Sequence, residues 1–159
     1  MAIDCNLKLD GVDGESAHKD HKGEIKVDTW TWGVAQPSTN GVGGGAGKGQ
    51  ASPSWLKWSH AYDKASPVLA KACASGKHFP SAILTVRKAG GSQVDFLKVT
   101  LKKVFVTSVA PEANAEGDLK ESVSMAYDDI EFEYKPQDGE GALGGAVKFG
   151  WDITSTETR

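Results

Sequence analysis

Apolar residues recur at every second position through most of this 159-residue chain. That period suits strands with one buried face and excludes amphipathic helices over the same stretches. In residues 2–9, Ile3, Cys5, Leu7 and Leu9 share one face, and the run ends at Asp10-Gly11. Residues 14–23 are charged and read as a loop. A long strand is expected over 24–36, carrying Ile25 and Val27 and then Trp30 and Trp32; the apolar phase flips between the two pairs, which predicts a bulge near Asp28 and Thr29. Trp55, Trp58 and Tyr62 mark another extended segment. Ala82, Leu84 and Val86 alternate with polar neighbours, as do Leu97, Val99 and Leu101, followed after a break at Lys102-Lys103 by Val104 and Val106. Leu119, Val123, Met125 and Tyr127 form a further face, Ile130, Phe132 and Tyr134 the cleanest half-buried strand, and Val147, Phe149, Trp151 and Ile153 the last.

One segment breaks the pattern toward helix, at about residues 67–75. Ser66 is placed to cap it, Pro67 fits the first helical position, and Gly76 stands where a left-handed C-terminal cap belongs, with Lys71 and Lys77 near the negative end. The helix is too short to be stable by propensity and must be held by packing. Eight or nine strands with one short flanking helix predict a mainly β fold, an antiparallel β-barrel or sandwich, in a single domain spanning 1–159. Six of the 19 glycines fall in one low-complexity stretch at about 37–53, expected to be a flexible loop.

Charge and composition narrow the function. With 18 basic and 21 acidic side chains the net charge is −3, so the chain has no general attraction for polyphosphate, and no nucleic-acid partner is expected. Lys98, Lys102 and Lys103 cluster but read as a solvated strand face. No apolar run approaches the ~20 residues of a membrane span, and the N-terminus lacks the basic opening of a secretory signal, so synthesis in the cytoplasm without membrane insertion is expected. Cys5 and Cys73 are too few and too far apart for a disulfide scaffold and read as buried or half-buried free thiols.

The search for chemistry yields no catalytic, cofactor or metal site. His18 and His21 flank Asp20 in the charged loop, but no second pair completes a zinc set, and they read as solvent-exposed. Asp128-Asp129 and Glu131 with Glu133 look equally wet, whereas acid–base partners need different environments. No nucleophile elbow is present. In the glycine-rich stretch, Val42 stands where a phosphate loop needs glycine, and Gly49 where it needs Ser or Thr. Gly41, Gly43 and Ala46 match a relaxed dinucleotide fingerprint, yet Pro53 and the surrounding glycines give no helix to follow it. Residues alone lead to a β-rich, non-enzymatic, oligomer-forming protein. They leave open a monomeric extracellular β-sandwich module of lectin or adhesin type, and a small secreted hydrolase.

Longer motifs carry a family resemblance. His21-Lys22-Gly23-Glu24-Ile25-Lys26-Val27-Asp28-Thr29-Trp30-Thr31-Trp32-Gly33 resembles the signature of the haemolysin-coregulated protein (Hcp) family. So do Asp63-Lys64-Ala65-Ser66-Pro67, the run from Ala72 to His78, Ala82 to Gly91, Val104 to Val109 and Lys148 to Ile153. The resemblance implies a phage tail-tube-like β-barrel that serves as a tube subunit of the type VI secretion system. It implies homo-hexameric rings that stack into a conduit, a contractile sheath, baseplate components and a spike as partners, and small effector proteins carried and protected in the lumen. It also implies release from the bacterial cell without a cleaved signal peptide, and no enzymatic activity. Within that picture, if Trp30 and Trp32 face the core, alternation turns Thr29, Thr31 and Gly33 away from it, and Thr29 and Thr31 are the expected lumen-facing effector contacts. Gly41, Val42, Gly43, Gly44, Gly45, Ala46, Gly47 and Lys48 are the expected inter-subunit or inter-ring loop.

Overall fold

The computed structural model describes residues 2–37, 50–89, 94–138 and 142–159. In chain order these form β1 (Ile3–Leu9), β2 (Ile25–Val27), β3 (Thr29–Thr31), β4 (Val34–Ala35), β5 (Ser52–Pro53), β6 (Leu56–Ala61), α1 (Ser66–Ser75), β7 (His78–Lys88), β8 (Asp95–Ala113), β9 (Leu119–Ala126), β10 (Asp129–Tyr134), β11 (Val147–Asp152) and β12 (Glu157–Thr158). Every pairing is antiparallel. The predicted strands are present, but the structure divides the chain more finely than eight or nine.

The long strand β8 organises the sheet. β7 lies along one of its edges; along the other, β10 faces Leu97 to Lys102 and β9 faces Phe105 to Ala113. From β7 the pairing passes to β1 and then β2. The chain steps through Asp28 into β3, which pairs with β6; β6 pairs with β9, and β9 returns to β8. The path therefore comes back to its start, with one step made along the chain instead of through a ladder. β10, β11 and β12 extend from the first half of β8. Leu7, Leu9, Ile25, Leu56, Leu84, Leu101 and Met125 fill the interior, all essentially inaccessible to solvent.

Two corners explain where the sequence alternation loses phase. At Lys103 the backbone is left-handed, φ 52°, at the point where β8 exchanges β10 for β9, and the inward row moves from Leu101 to Val104. At Asp28 the expected single strand over 24–36 divides: Val27 faces inward beside β1, Trp30 inward beside β6, and the Asp28 N–H donates to Ser59 O at 2.8 Å. The phase flip is a change of partner strand, not a bulge within one ladder.

Helix α1 buries Ser66, Leu69 and Ala72. Its N-cap is Ala65, one residue before the serine expected there, and no side chain caps it directly. The turn is tied instead by Asp63, whose Oδ1 accepts from Ala65 N, and by Ser66 Oγ, which accepts from Asp63 N. Pro67 lies in the first turn, Gly76 closes the helix at φ 71°, and no basic residue falls in the last turn. No helix among the described residues is long and apolar enough to cross a membrane.

The charged segment 10–24 is folded back on itself. Gly14 N and Ser16 N donate to Gly23 O and Glu24 O, both at 2.8 Å. A Cβ at position 14 would sit 2.5 Å from Glu24 O, so only glycine permits this approach. The segment lies over the outer face of β1 and β7 and buries Asn6, Thr85 and Arg87, with Ser16 Oγ donating to Asn6 Oδ1 at 2.8 Å.

Candidate functional site

The neighbouring strands β3, β6 and β9 put different chemistry on their two faces. Inward, Trp30 faces Trp58 and Trp58 faces Val123. Outward, Thr29 lies opposite Ser59 and Ser59 opposite Ser122, while Thr31 lies opposite Lys57 and Lys57 opposite Ser124. Thr29 Oγ1 and Ser59 Oγ share a hydrogen bond of 2.6 Å. These side chains, Thr29, Thr31, Lys57, Ser59, Ser122 and Ser124, line a shallow groove of about 210 Å³. Apart from Lys57, the outward side chains are short and hydroxylated, and Trp58 and Val123 border the groove from the inward row. Hydroxyl groups exposed to solvent exchange protein–water for protein–protein hydrogen bonds at small net gain, so a partner on this face is held weakly.

The tryptophans hold this face in place from behind. Trp30 is half-buried, and burial pushes the Cys5 thiol up from its ordinary value, with the Trp30 side chain opposing the rise. Trp32 packs on Phe132 and Phe149, with ring centroids 4.9 and 6.4 Å away. Its Nε1 donates to Tyr127 Oη, which donates in turn to Ser54 O at 2.8 Å. Burial, opposed by the bond from Trp32, raises Tyr127 above its ordinary value. Trp58 and Trp151 are buried, and Trp55 is 52% exposed.

Sequence reasoning missed two polar clusters. His60 and Glu121 face each other across β6 and β9, fully buried, with Nε2 and Oε1 2.8 Å apart and Asp63 Oδ2 3.7 Å from His60 Nδ1. The signal was their phase, since His60 shares the inward row of Leu56 and Trp58, and Glu121 that of Val123 and Met125. The second cluster corrects the reading of His18 and His21 as exposed. His21 is 7% exposed, its Nδ1 2.8 Å from Glu24 Oε2 and its Nε2 3.1 Å from Asp95 Oδ1. Arg87, 3% exposed, donates through Nε to Asp95 Oδ1 at 2.8 Å and through Nη1 to Asp20 Oδ2 at 3.1 Å. Burial works against the Asp95 carboxylate, but hydrogen bonds from Arg87 and His21 outweigh it and hold its carboxyl below the ordinary range. The same two carboxylates raise Arg87 despite its desolvation.

Other expected positions fall as follows. Gly33 is exposed, its N–H donating to Ser54 Oγ at 2.8 Å. Gly41 to Lys48 lie outside the described residues. Cys5 is a buried free thiol and Cys73 a half-buried one. Lys98, Lys102 and Lys103 are exposed. Among the described residues, no group of three or more His, Cys, Asp or Glu side chains is placed to hold a metal ion.

Comparison with known proteins gives one family. The family model for the type VI secretion system effector Hcp matches residues 6–134. The protein hcp1 of Pseudomonas aeruginosa is 44% identical over 156 residues, 96% of either chain. The crystal structure of Hcp1 from Salmonella typhimurium superposes with a TM-score of 0.84 at 38% identity, covering 100% of both chains. A solved type six secretion system protein reaches 0.93 at 31% identity, covering 99% of this chain and 100% of its own. The overall fold is thus shared with these solved structures, and the chain belongs to the Hcp family of type VI secretion proteins.

Proposed function

We propose that this chain is a structural subunit of the type VI secretion tube. Six copies close into a ring, rings stack into a conduit, and a contractile sheath drives that conduit, tipped by a spike, out of the bacterial cell. The ring requires a heterologous interface, in which one patch of a subunit meets a different patch of the next. Thr29 and Thr31 line the lumen in this reading. The observation that carries the lumen assignment is the outward row on β3, β6 and β9, short hydroxyl side chains with Lys57 among them, backed by the inward row of Trp30, Trp58 and Val123. A surface of that kind holds small effector proteins loosely enough to release them.

Light scattering on the eluting protein tests the ring: a species near six times 16.8 kDa is expected. A monomer at high concentration would overturn self-assembly of the isolated chain and reopen the extracellular binding-module reading. The lumen assignment is tested separately with Thr31→Arg. This variant is expected to keep the wild-type mass and melting temperature and to lose co-purification of type VI effectors at least tenfold. Unchanged retention would place Thr31 on the outside.

A further inference from the structure

Where the segment 10–24 meets β7 and β8, one ring nitrogen is offered two partners that require opposite protonation. His21 Nε2 lies 3.1 Å from Arg87 Nη2 and 3.1 Å from Asp95 Oδ1. A guanidinium only donates and a carboxylate only accepts. Without a proton, Nε2 accepts from Arg87; with one, it donates to Asp95 and is closed to Arg87. Nδ1, 2.8 Å from Glu24 Oε2, is fixed as a donor in both cases. The imidazole is thus neutral in the first arrangement and a cation in the second.

The surroundings suit such an exchange. His21 is faced by Glu24 just before β2, by Arg87 and Thr85 on β7, by Asp95 on β8, and by His18 in its own segment, where Asp20 meets Arg87. The same outward face carries Asp4 opposite Arg87, Lys26 opposite Asn6 and Lys98 opposite Thr85, so when both imidazoles are neutral the carboxylates of Asp4, Asp20, Glu24 and Asp95 exceed the cations of Arg87, Lys26 and Lys98 by one. His18 differs, because both its nitrogens face donors: its Nε2 is 3.2 Å from Arg87 Nη1, while its Nδ1 accepts from Asp20 N at 3.3 Å. A neutral imidazole has one acceptor nitrogen, not two. Beyond Val12, what the segment lays on the sheet is polar, namely Ser16 on Asn6 and His21 on Thr85 and Arg87. Its attachment therefore depends on which hydrogen bonds are made.

We propose that residues 10–24 form a proton-responsive strap, in which the proton on His21 Nε2 selects whether the strap is tied to β7 through Arg87 or to β8 through Asp95. The change re-ties His21 without unfolding the strap, because Arg87 Nη1 can stay on Asp20 Oδ2, at 3.1 Å, in both arrangements. This inference is independent of the tube reading.

Amide hydrogen exchange of the whole protein between about pH 8 and about pH 5, corrected for intrinsic rates, tests it. Protection of the strap amides of Gly14, Ser16, His21 and Gly23 is expected to differ about tenfold between the two ends in the wild type, the effect of one charge-assisted hydrogen bond. In His21→Gln, whose amide does not titrate, that difference is expected to vanish while β7 protection is unchanged. Equal pH dependence in His21→Gln, or none in the wild type, overturns the proposal. Nitrogen NMR of the wild type decides the matter should the variant not fold. At the alkaline end His21 is expected to show a bare Nε2 and a protonated Nδ1; the reverse tautomer would overturn the exchange.

Discussion

At the scale of single residues, the pair formed by His60 and Glu121 sets the stakes in the core. Each is the other's partner at 2.8 Å, out of reach of solvent. Replacing one alone strands a buried polar group, which costs about 1–3 kcal/mol. His60→Leu and Glu121→Leu are each expected to destabilise by that amount in urea melts, and the double replacement by clearly less than the sum. Additive losses would show that the pair is not coupled. Asp95 gives a pH dependence of known sign. Its folded-state value is depressed, so its stabilisation is fully present above the ordinary carboxylate value near 3.8 and is lost as pH falls through the lower folded value. Asp95→Asn is expected to be less stable than wild type at neutral pH, with the gap narrowing only below about pH 4. Residue by residue, the apolar interior was legible because alternation reports it directly. His21 and Arg87 were not, because each is buried by the other's element when segment 10–24 folds over β7, and nothing in the local pattern of 14–23 announces that contact.

Among the elements, α1 depends on its ends. Its termination at Gly76 rests on a left-handed backbone, φ 71°, with room for a side chain, since an added Cβ would come no nearer than 3.9 Å to Phe105. The cost of Gly76→Ala is therefore conformational, about 1–2 kcal/mol by thermal or urea unfolding, and Gly76→Asn is expected to recover part of it. Equal losses in both would point to packing instead. Helix position and C-cap were readable from Pro67 and Gly76, whereas the N-terminal turn was misjudged because Ser66 serves Asp63 and not the helix amides. The strand over 24–36 was misjudged for a related reason. A phase flip has the same sequence signature whether a strand bulges or changes partner, and only the ladder distinguishes them.

For the whole molecule, fold class was legible because eight stretches of period two leave few alternatives, while the circuit from β8 through β7, β1, β2, β3, β6 and β9 was not, since pairing between distant strands leaves no local mark. The glycine-rich stretch enters through β4 and leaves through β5, whose pairing of Val34 with Pro53 and Ala35 with Ser52 brings its ends together. Deletion of 41–49 is expected to preserve the melting temperature within a few degrees and to reduce the assembled mass seen by light scattering. Normal stacking of the deleted protein would reduce that segment to a tether.

The register of β1 against β7, with Ile3 opposite Lys88, also bears on how the protein is made. β1 leaves the ribosome roughly eighty residues before the strand that covers most of it, and at ~5–20 residues per second that is a wait on the order of ten seconds. Its earlier partner, β2, is three residues long and covers only Cys5 to Leu7. Through that interval Leu7 and Leu9 stand open to any other nascent strand with the same alternation. Neighbouring polysomes translating this chain are therefore the setting in which it is most exposed to mispairing, and slowing translation after residue 30 is where that hazard grows.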